Sequence, residues 1–433
     1  MSMGTAHSTT SFLPEESFAL RMDAEDPLAE FRERFHIPPN AKGKPLIYFC
    51  GNSLGLMPKT AGGFVQQELA DWARLGVDGH FAGRTPWYSY HEVFREKLGR
   101  LVGALPSEVV VMNSLTVNLH LMMVSFYRPT KQRYKILMEA PAFPSDTYAV
   151  KSQIRCHRFE PNDALVIVEP REGEQTVRMG DIESILEDHG DQFALVLLAG
   201  VNFFTGQVLD MGRIAAKAKR EGCTLGLDLA HAVGNVPVAL HDWGVDFAVW
   251  CHYKYMNAGP GAVAGCFVHE RHATRADLDV PRLTGWWGND PATRFRMHLE
   301  PDFKPVATVD SWQVSNPPIF SLAPLRASLD IFDEAGMDRL RAKSELMTGY
   351  LQFLMDRMQS NRYEVITPKR ASERGCQFSI LVNENPRGLF KELEEAGVKA
   401  DFREPNVIRV APVPLYNTFH EVWRFAEVLG RHR

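Results

Sequence analysis

Six short apolar runs, separated by segments with helical spacing, constrain the fold of this chain more than any other sequence feature. The runs cover residues 135–139, 165–168, 194–199, 224–229, 247–251 and 265–269. Short apolar runs bounded by turn residues are typical of strands buried on both faces. Met211–Arg220 is one of the helical segments between them, and Gly222 ends it. The alternation predicts an α/β fold in which helices cover both faces of a largely parallel sheet.

The pattern also divides the chain into an arm and two domains. Residues 1–40 are largely polar and end at a Pro-Pro-Asn turn, so they are predicted to form an N-terminal arm. Residues 41–320 hold the alternating runs and form the predicted large domain. Later helical patterns cover residues 322–334, 340–359, 386–396 and those from 419 onward, with apolar runs at 376–382 and 407–411. Residues 321–433 are therefore predicted to form a smaller C-terminal α+β domain, against which the arm can pack.

Charge and cysteine content argue against several classes of protein. The chain has 48 Lys plus Arg and 53 Asp plus Glu, and this net charge of −5 argues against nucleic-acid binding. The longest apolar run, residues 193–201, is much shorter than the ~20 residues of a membrane-spanning helix. No signal-peptide pattern follows Met1, and the six cysteines form no C-x-x-C pair. We therefore expect a reduced, cytoplasmic protein that binds neither nucleic acid nor membrane.

The strongest chemical signal is an aspartate and a lysine at the ends of two predicted strands. Asp228 lies at the carboxyl end of the 224–229 run, where open α/β sheets bind ligands. Lys254 follows the 247–251 run, next to Tyr253. Pyridoxal phosphate (PLP) needs this pair, because the carboxylate keeps the pyridine nitrogen protonated and the lysine forms a Schiff base with the aldehyde. The alternatives are a helix-capping or ion-paired aspartate and a solvated lysine.

Two further segments suit the same cofactor. Leu115 and Thr116 begin an apolar helical run, and a helix start with hydroxyl groups suits a phosphate, although plain capping by Ser114 or Thr116 is the alternative. Phe143, Pro144, Ser145 and Asp146 follow the 135–139 run in sequence. Phe143 can lie flat on a heteroaromatic ring, or it can be a core residue beside a proline turn.

Two other polar positions are less specific. Thr205 lies in a Thr-Gly-Gln segment after the 194–199 run, and it either lines the ligand site or forms a simple turn. His231 follows Asp228 and is a candidate metal ligand, base or core histidine. Because no second histidine or carboxylate stands at metal-ligand spacing, we predict no metal and expect His231 to orient the cofactor.

Taken together, these residues resemble kynureninases, the PLP-dependent hydrolases of tryptophan catabolism. The matching stretches are residues 51–55, 113–120, 143–146, 228–235, 241–246, 253–255, 315–318 and 409–417. The likeness begins at about residue 45 and continues to the C-terminus. Eight motifs in the same order are highly specific, although none of them is decisive alone.

The resemblance implies PLP fold type I, in which helices sandwich a seven-stranded, mostly parallel sheet and a small C-terminal domain follows. It also implies a homodimer with active sites shared between the subunits. Lys254 would be the Schiff-base lysine, Asp228 the partner of the pyridinium, and Tyr253 a catalytic acid. The implied cofactor-binding residues are Leu115, Thr116, Phe143, Pro144, Ser145, Asp146, Thr205, Asp228, His231, Tyr253 and Lys254, with Trp286 and Asn316 approaching from the neighbouring subunit.

The resemblance also implies a substrate-binding set. Arg409 would grip the substrate α-carboxylate with its bidentate fork. His80 and Asn316 would line the aryl side, which favours a ring-hydroxylated substrate, and Ser53 would also contact the substrate. Two positions depart from the common pattern of relatives: Ala199 replaces a frequent hydroxyl residue, and Phe204 replaces a frequent tyrosine.

The predicted reaction is the hydrolytic Cβ–Cγ cleavage of L-kynurenine or 3-hydroxy-L-kynurenine to anthranilate or 3-hydroxyanthranilate plus L-alanine. It belongs to tryptophan catabolism or NAD biosynthesis. The alternatives are a cysteine desulfurase, a class V aminotransferase, or a non-catalytic scaffold of the same fold. A desulfurase needs a mobile reactive cysteine, whereas Cys376 lies in an apolar strand pattern. A scaffold would have no use for both Asp228 and Lys254.

Overall fold

The computed structural model describes residues 11–273, 280–358 and 360–431. The first ten residues of the predicted arm and Gln359 of the predicted helix at 340–359 lie outside these ranges. The α-helices are α1 (Glu16–Ala24), α2 (Ala61–Leu75), α3 (Gly79–Ala82), α4 (Arg95–Val102), α5 (Leu115–Phe126), α6 (Pro144–Cys156), α7 (Pro161–Ala164), α8 (Met179–His189), α9 (Met211–Arg220), α10 (Leu240–Trp243), α11 (Glu270–Ala273), α12 (Ile319–Ala335), α13 (Met337–Met358), α14 (Pro386–Glu395) and α15 (Phe419–Gly430).

The strands have two to seven residues each, and most of their residues are buried. They are β1 (Phe35–His36), β2 (Ile47–Tyr48), β3 (Met57–Pro58), β4 (Val109–Val111), β5 (Lys135–Glu139), β6 (Leu165–Val168), β7 (Phe193–Ala199), β8 (Thr224–Asp228), β9 (Phe247–Trp250), β10 (Gly265–Val268), β11 (Tyr363–Val365), β12 (Phe378–Val382), β13 (Val398–Lys399), β14 (Asp401–Arg403) and β15 (Val407–Val410). Short 3-10 turns cover Ala29–Arg34, Gly76–Asp78, Trp87–Phe94, Pro106–Glu108, Gly190–Gln192, Trp286–Gly288, Arg294–Arg296, Val309–Trp312 and Ala371–Glu373.

A seven-stranded sheet forms the centre of the fold, and it confirms the predicted α/β class. Its strand order is β4-β10-β9-β8-β7-β5-β6. The strands from β9 to β6 pair in parallel, whereas β10 is antiparallel to both of its neighbours. All six predicted strands lie in this sheet. The seventh, β4, has only three residues and was too short to be recognised as an apolar run.

Alternating side chains of the sheet build a core on each face. In β7, Val196 and Leu198 pack into one apolar cluster, and Leu195 and Leu197 pack into the other. Successive side chains of a strand point to opposite faces, so a strand that is apolar throughout must be covered on both sides. The helices provide that cover, and the carboxyl ends of the parallel strands are left to form one edge of the sheet.

A third apolar cluster joins the C-terminal residues to the N-terminal segment. A four-stranded sheet of order β11-β12-β15-β14 contributes Phe378, Ile408 and Val410, and α1 contributes Phe18. The Asp23 carboxylate accepts the backbone N–H of Phe419 at 2.6 Å, where α15 begins. A carboxylate at a helix start satisfies an N–H that has no partner within the helix. Residues of the predicted arm therefore contact the C-terminal residues. The division into an arm and two domains stays a prediction.

The helix α12 packs with the large sheet. Its buried Leu322, Leu325 and Leu329 belong to the first apolar cluster, and α12 also contacts α2. The proposed boundary near residue 320 therefore lies at the start of a helix that faces the large domain. Within the ranges that the structure describes, no helix combines the length and the apolar character needed to cross a membrane.

Candidate active site

A small cavity lies at the carboxyl edge of the large sheet. Ala199 ends β7 and Asp228 ends β8, and the two residues are register partners in the parallel pair. The loops after these strands meet the first turns of α5 and α6 at the same edge. The side chains and backbone that line the cavity belong to Leu115, Thr116, Phe143, Asp146, Ala199, Val201, Phe203, Asp228, Ala230, His231, Tyr253 and Lys254. Eight of the predicted cofactor-binding residues are therefore brought together.

The lysine of the cavity contacts a histidine. Lys254 Nζ lies 3.0 Å from His231 Nε2, which is hydrogen-bonding distance. Burial, followed by the nearby charge of Lys254, lowers the pKa of His231 well below its ordinary value. The imidazole is therefore neutral at physiological pH. Its Nδ1 is buried and has no hydrogen-bond partner in the chain.

Three buried carboxyl groups lie close together at this edge of the sheet, and two of them, Asp146 and Asp228, line the cavity. Burial, and then the charge of Asp228, raises the pKa of Asp146 to about 10. Burial likewise raises the pKa of Glu139, the last residue of β5, to about 7. Asp228 Oδ1 accepts the Ala230 N–H at 2.8 Å, whereas Asp146 Oδ1 is buried without a partner. Three desolvated carboxyl groups with one unpaired oxygen form a site for a cationic group that also donates a hydrogen bond.

The helix starts beside the cavity suit an anion. α5 begins at Leu115 and α6 begins at Pro144, and the Thr116 and Ser145 hydroxyls lie 3.3 Å apart, so the two helix starts are neighbours. The first N–H groups of a helix have no partner within it and carry partial positive charge. Ser114 occupies the N-cap position of α5, but its side chain makes no capping bond. This arrangement favours phosphate binding over the capping alternative.

An aromatic ring face also borders the cavity. The Phe143 ring is 41% exposed, and Lys254 Nζ lies 5.8 Å from its centroid. The Phe203 ring meets it edge to face at 5.3 Å, which holds the Phe143 plane while leaving a face open. Tyr253 also borders the cavity, and burial raises the pKa of its phenol. Tyr253 therefore keeps its proton at neutral pH.

Arg409 lies behind the cavity and does not line it. Its side chain is 1% exposed, and its guanidinium donates to the Asp401 carboxylate and to the Phe203 carbonyl. Arg409 Nε is buried with no hydrogen-bond partner. Asp401 also accepts from Arg403 Nη2 at 3.1 Å. Two of the five guanidinium N–H donors are therefore held by the protein, and the buried Nε–H has no partner.

Pro144, Ser145 and five other predicted residues also lie outside the lining of the cavity in the single chain. His80 Nδ1 lies 3.0 Å from the Val77 carbonyl, and Ser53 is exposed. The Trp286 ring packs against Trp287, and the exposed Asn316 accepts from the Ser315 hydroxyl at 3.1 Å. The Thr205 hydroxyl donates to Asn202 Oδ1 at 3.2 Å, as the turn alternative expects. Their roles in binding stay predictions.

Sequence reasoning missed Val201, Phe203, Ala230 and Glu139. Ala230 directly follows the predicted 224–229 run, and Val201 and Phe203 lie two and four residues after the 194–199 run. Glu139 is the last residue of the 135–139 run. The rule that parallel strands present their carboxyl ends to a ligand applies to all of these positions, yet it led only to Asp228 and Thr205. An acidic residue at the end of an apolar run is the signal that identifies Glu139.

A kynureninase of Myxococcus xanthus is 56% identical to the chain, over 98% of this chain and 99% of that protein. A kynureninase of Koribacter versatilis is 52% identical, over 97% and 98%. The chain belongs to the kynureninase family. The family described as Kynureninase C-terminal domain matches residues 340–429, and Aminotransferase class-V matches residues 57–275.

Solved structures place this kynureninase-family chain in a wider fold group. A cysteine desulfurase of Thermococcus onnurineus has a TM-score of 0.71 at 17% identity, covering 89% of this chain and 94% of that one. A cysteine desulfurase of Escherichia coli has a TM-score of 0.74 at 15% identity, covering 93% and 98%. At such identities the likeness establishes the fold alone. Cys376 is fully buried, and burial raises its pKa to about 12, so its thiol is a poor nucleophile for a desulfurase reaction.

Proposed function

We propose that the protein is a PLP-dependent hydrolase that cleaves the Cβ–Cγ bond of L-kynurenine, 3-hydroxy-L-kynurenine or both. The reaction consumes water and yields an anthranilate and L-alanine, in tryptophan catabolism or NAD biosynthesis. The single observation that carries this proposal is the cavity in which Lys254 faces the Asp146–Asp228 pair. It stands in a chain that is 56% identical to a named kynureninase over nearly its whole length.

The cavity offers charge-complementary groups for both the pyridine nitrogen and the phosphate of PLP. The unpaired Asp146 Oδ1 and the neighbouring Asp228 carboxylate provide acceptors for a protonated pyridine nitrogen. The starts of α5 and α6, with Thr116 and Ser145, would hold the phosphate. Phe143 would cover one face of the ring. When bound, PLP withdraws electrons from the substrate's α-carbon and so makes its proton acidic.

Three side chains can then manage the protons of the reaction. Lys254 Nζ is the group placed to remove and return a proton at the substrate α-carbon, because it lies above the Phe143 face. His231 is neutral and lies 3.0 Å from that amine, so its Nε2 can orient the amine without competing for charge. The Tyr253 phenol keeps its proton and is the proposed acid for the departing alanine fragment.

Arg409 is the proposed partner of the substrate α-carboxylate. Burial lowers the pKa of Arg409, but a guanidinium whose charge is balanced by Asp401 stays protonated at neutral pH. Its unpaired Nε offers a buried donor next to the cavity wall. The carboxylate would have to reach this donor past the Phe203 carbonyl, so Phe203 is expected to shift when substrate binds.

We also propose that two copies of the chain share their active sites. Beside His80, the Phe81 side chain is 63% exposed and Phe295 is 57% exposed, with ring centroids 6.1 Å apart. Exposed aromatic clusters of this kind are characteristic of protein interfaces. In such a homodimer, Trp286 and Asn316 would complete the cofactor site of the other subunit, and His80 with Asn316 would line the aryl side.

A cytoplasmic location is part of the same proposal. All six cysteines are free thiols, and five of them are buried, as expected for a protein of a reducing compartment.

One assay tests the proposed reaction. The purified protein with PLP is mixed with kynurenine or 3-hydroxykynurenine, and alanine and the fluorescent anthranilate product are measured. We expect equimolar products from at least one substrate, and a loss of about 10³-fold or more in Lys254→Ala, which should also lose the visible absorbance of lysine-bound cofactor. Full activity of Lys254→Ala, or turnover of cysteine without turnover of either kynurenine, would contradict the assignment.

A further inference from the structure

A second cluster of ligand-type side chains lies at the edge of the sheet opposite the cavity. Glu108 directly precedes β4, His269 directly follows β10, and His241 lies in α10. β4 runs parallel to β9, and β10 runs antiparallel to both, so Glu108 and His269 lie beside the amino ends of the parallel strands. The cofactor cavity lies at the carboxyl ends, and the two sites are therefore separated by the length of the sheet.

The three side chains converge on one point. His241 Nδ1 lies 3.0 Å and 3.1 Å from the two carboxylate oxygens of Glu108. His269 Nδ1 lies 3.4 Å from Glu108 Oε1, and all three ligand atoms lie within 4.8 Å of one another. Ligands bound to Zn²⁺ at 2.0–2.1 Å in a tetrahedron are about 3.3 Å apart. The two distances from Glu108 to the histidine nitrogens, 3.0 Å and 3.4 Å, lie near that value.

The contact between His269 and Glu108 points to a cation rather than to a simple hydrogen bond. The Arg271 backbone N–H lies 3.3 Å from His269 Nδ1, so this nitrogen presents its single lone pair rather than a proton, and a bound metal would take the place of that long hydrogen bond. Glu108 Oε1 is also an acceptor, since it receives the Glu270 N–H at 2.8 Å. Two acceptors that face each other at 3.4 Å repel unless a positive charge lies between them.

The surroundings hold the carboxylate in place. Glu108 is completely buried, and Glu108 Oε2 accepts the Leu105 N–H at 2.9 Å, so both of its oxygens are fixed by backbone donors. Backbone and carboxylate partners of this kind orient the ligands of metal sites. Arg271 pairs with the Asp246 carboxylate at 2.6 Å and not with Glu108.

The cluster can be reached from solvent. The His241 side chain is 32% exposed, and it lines a surface cavity with Asp242, Glu96 and the backbone near Leu105. A site with two histidines, one carboxylate and an open side is the ligand set that Zn²⁺ takes when a fourth position is left for water.

We propose that Glu108, His241 and His269 form a site for a divalent transition metal of the zinc type, at the edge of the sheet away from the cofactor. The metal would tie the start of β4 to the end of β10, which are adjacent antiparallel strands in the sheet. Because none of these residues lies in the cavity, the site stands independently of the proposed reaction.

The test uses the full-length, tag-free protein with PLP bound, after dialysis against a chelator. Zn²⁺ is titrated against a chromophoric chelator, and Co²⁺ is added separately to record the absorbance of a four-coordinate ion. We expect one Zn²⁺ per chain, with affinity at least tenfold weaker in both His241→Ala and His241→Gln. Turnover of kynurenine should change by less than about twofold in these variants, because the site lies at the other edge of the sheet.

A matched control is available in the same chain. His420 Nε2 pairs with Glu16 at 2.8 Å, and this histidine–carboxylate pair is not part of a three-ligand group among the described residues. His420→Ala should leave Zn²⁺ affinity unchanged. The proposal is overturned if the protein shows no saturable site, or if His241→Ala and His420→Ala weaken binding equally. Loss of kynurenine turnover with intact Zn²⁺ binding would contradict the proposed reaction alone.

Discussion

Replacement of Asp146 by asparagine should stabilise the protein when it is free of cofactor. Asp146 is 5% exposed and lies beside Asp228 and Glu139, whose charges raise its pKa together with burial. Asparagine has the same shape and no ionisable proton. The substitution therefore removes the cost of holding a third acidic group in a water-excluded cluster, without leaving a void.

The size of the effect follows from the pKa. The ordinary value of 3.8 rises to about 10 in the folded chain, so Asp146 binds a proton on folding over the whole range between them. A group whose folded pKa is raised destabilises the protein increasingly as pH rises through that window. At pH 7 the difference from 3.8 is about 3 pH units, which corresponds to about 4 kcal/mol at about 1.4 kcal/mol for each unit.

The assay is equilibrium unfolding by urea between pH 5 and pH 8, on cofactor-free protein. We expect the free energy of unfolding of Asp146→Asn to exceed that of the unsubstituted protein by an amount that grows with pH. The growth should be roughly 1 kcal/mol for each pH unit, since the neighbouring Glu139 also titrates and shares the proton. Addition of PLP should reverse the order, because the variant has lost one acceptor for the pyridine nitrogen.

A control separates this effect from general charge removal. Asp181 is bonded to Arg171 at the surface, and that hydrogen bond lowers its pKa. Asp181→Asn should change stability by less than about 1 kcal/mol, with no dependence on pH above 5. The carboxylate-cluster reasoning would be refuted if the difference in free energy of unfolding between Asp146→Asn and the unsubstituted protein stayed constant from pH 5 to pH 8.

Three further substitutions test the proposed roles. Arg409→Ala should raise KM for kynurenine about 100-fold and weaken inhibition by alanine, with kcat changed less than tenfold; an unchanged KM would remove Arg409 from the substrate site. Tyr253→Phe should lower kcat by about 100-fold in steady-state turnover with little change in KM, and retention of full kcat would assign the acid elsewhere. Cys376→Ala should keep kcat/KM within about threefold while costing about 1 kcal/mol of stability in urea unfolding, because the thiol is fully buried. A large loss of activity with the fold intact would reopen the desulfurase alternative.

Local sequence patterns were sufficient to predict most strands of the large sheet. A strand such as β7 is apolar at every position, so it can be stable only in the middle of a sheet, and its length and bounding turns fix its limits to within a residue. The very short strands escaped this reasoning. β4 and the edge strand β14 have three residues each, and their pairing depends on partners that are distant in sequence.

The site likewise combines residues that local sequence could predict with contacts that only the fold creates. Asp228 and Lys254 could be predicted, because each follows an apolar strand and the chemistry of PLP requires their types. The approach of Glu139 and Asp146 to Asp228 could not, since a carboxyl pKa depends on burial and on charges that the fold brings together. Their convergence is the property that makes the cavity favour a cationic ring.

Sequence by itself thus determined which elements form and that they alternate, since both depend on local periodicity. It also predicted Asp228 and Lys254 as cofactor-binding residues from their residue types. Only the tertiary structure decided what each charged group faces. In the sequence, Arg409 stands among apolar residues of the short strand β15. The fold places its guanidinium against Asp401 and the Phe203 carbonyl. Likewise, the Glu108 carboxylate contacts His241, which lies 133 residues away in the sequence. Electrostatic interactions depend on distance in space and on the loss of water, and neither is written in the order of residues.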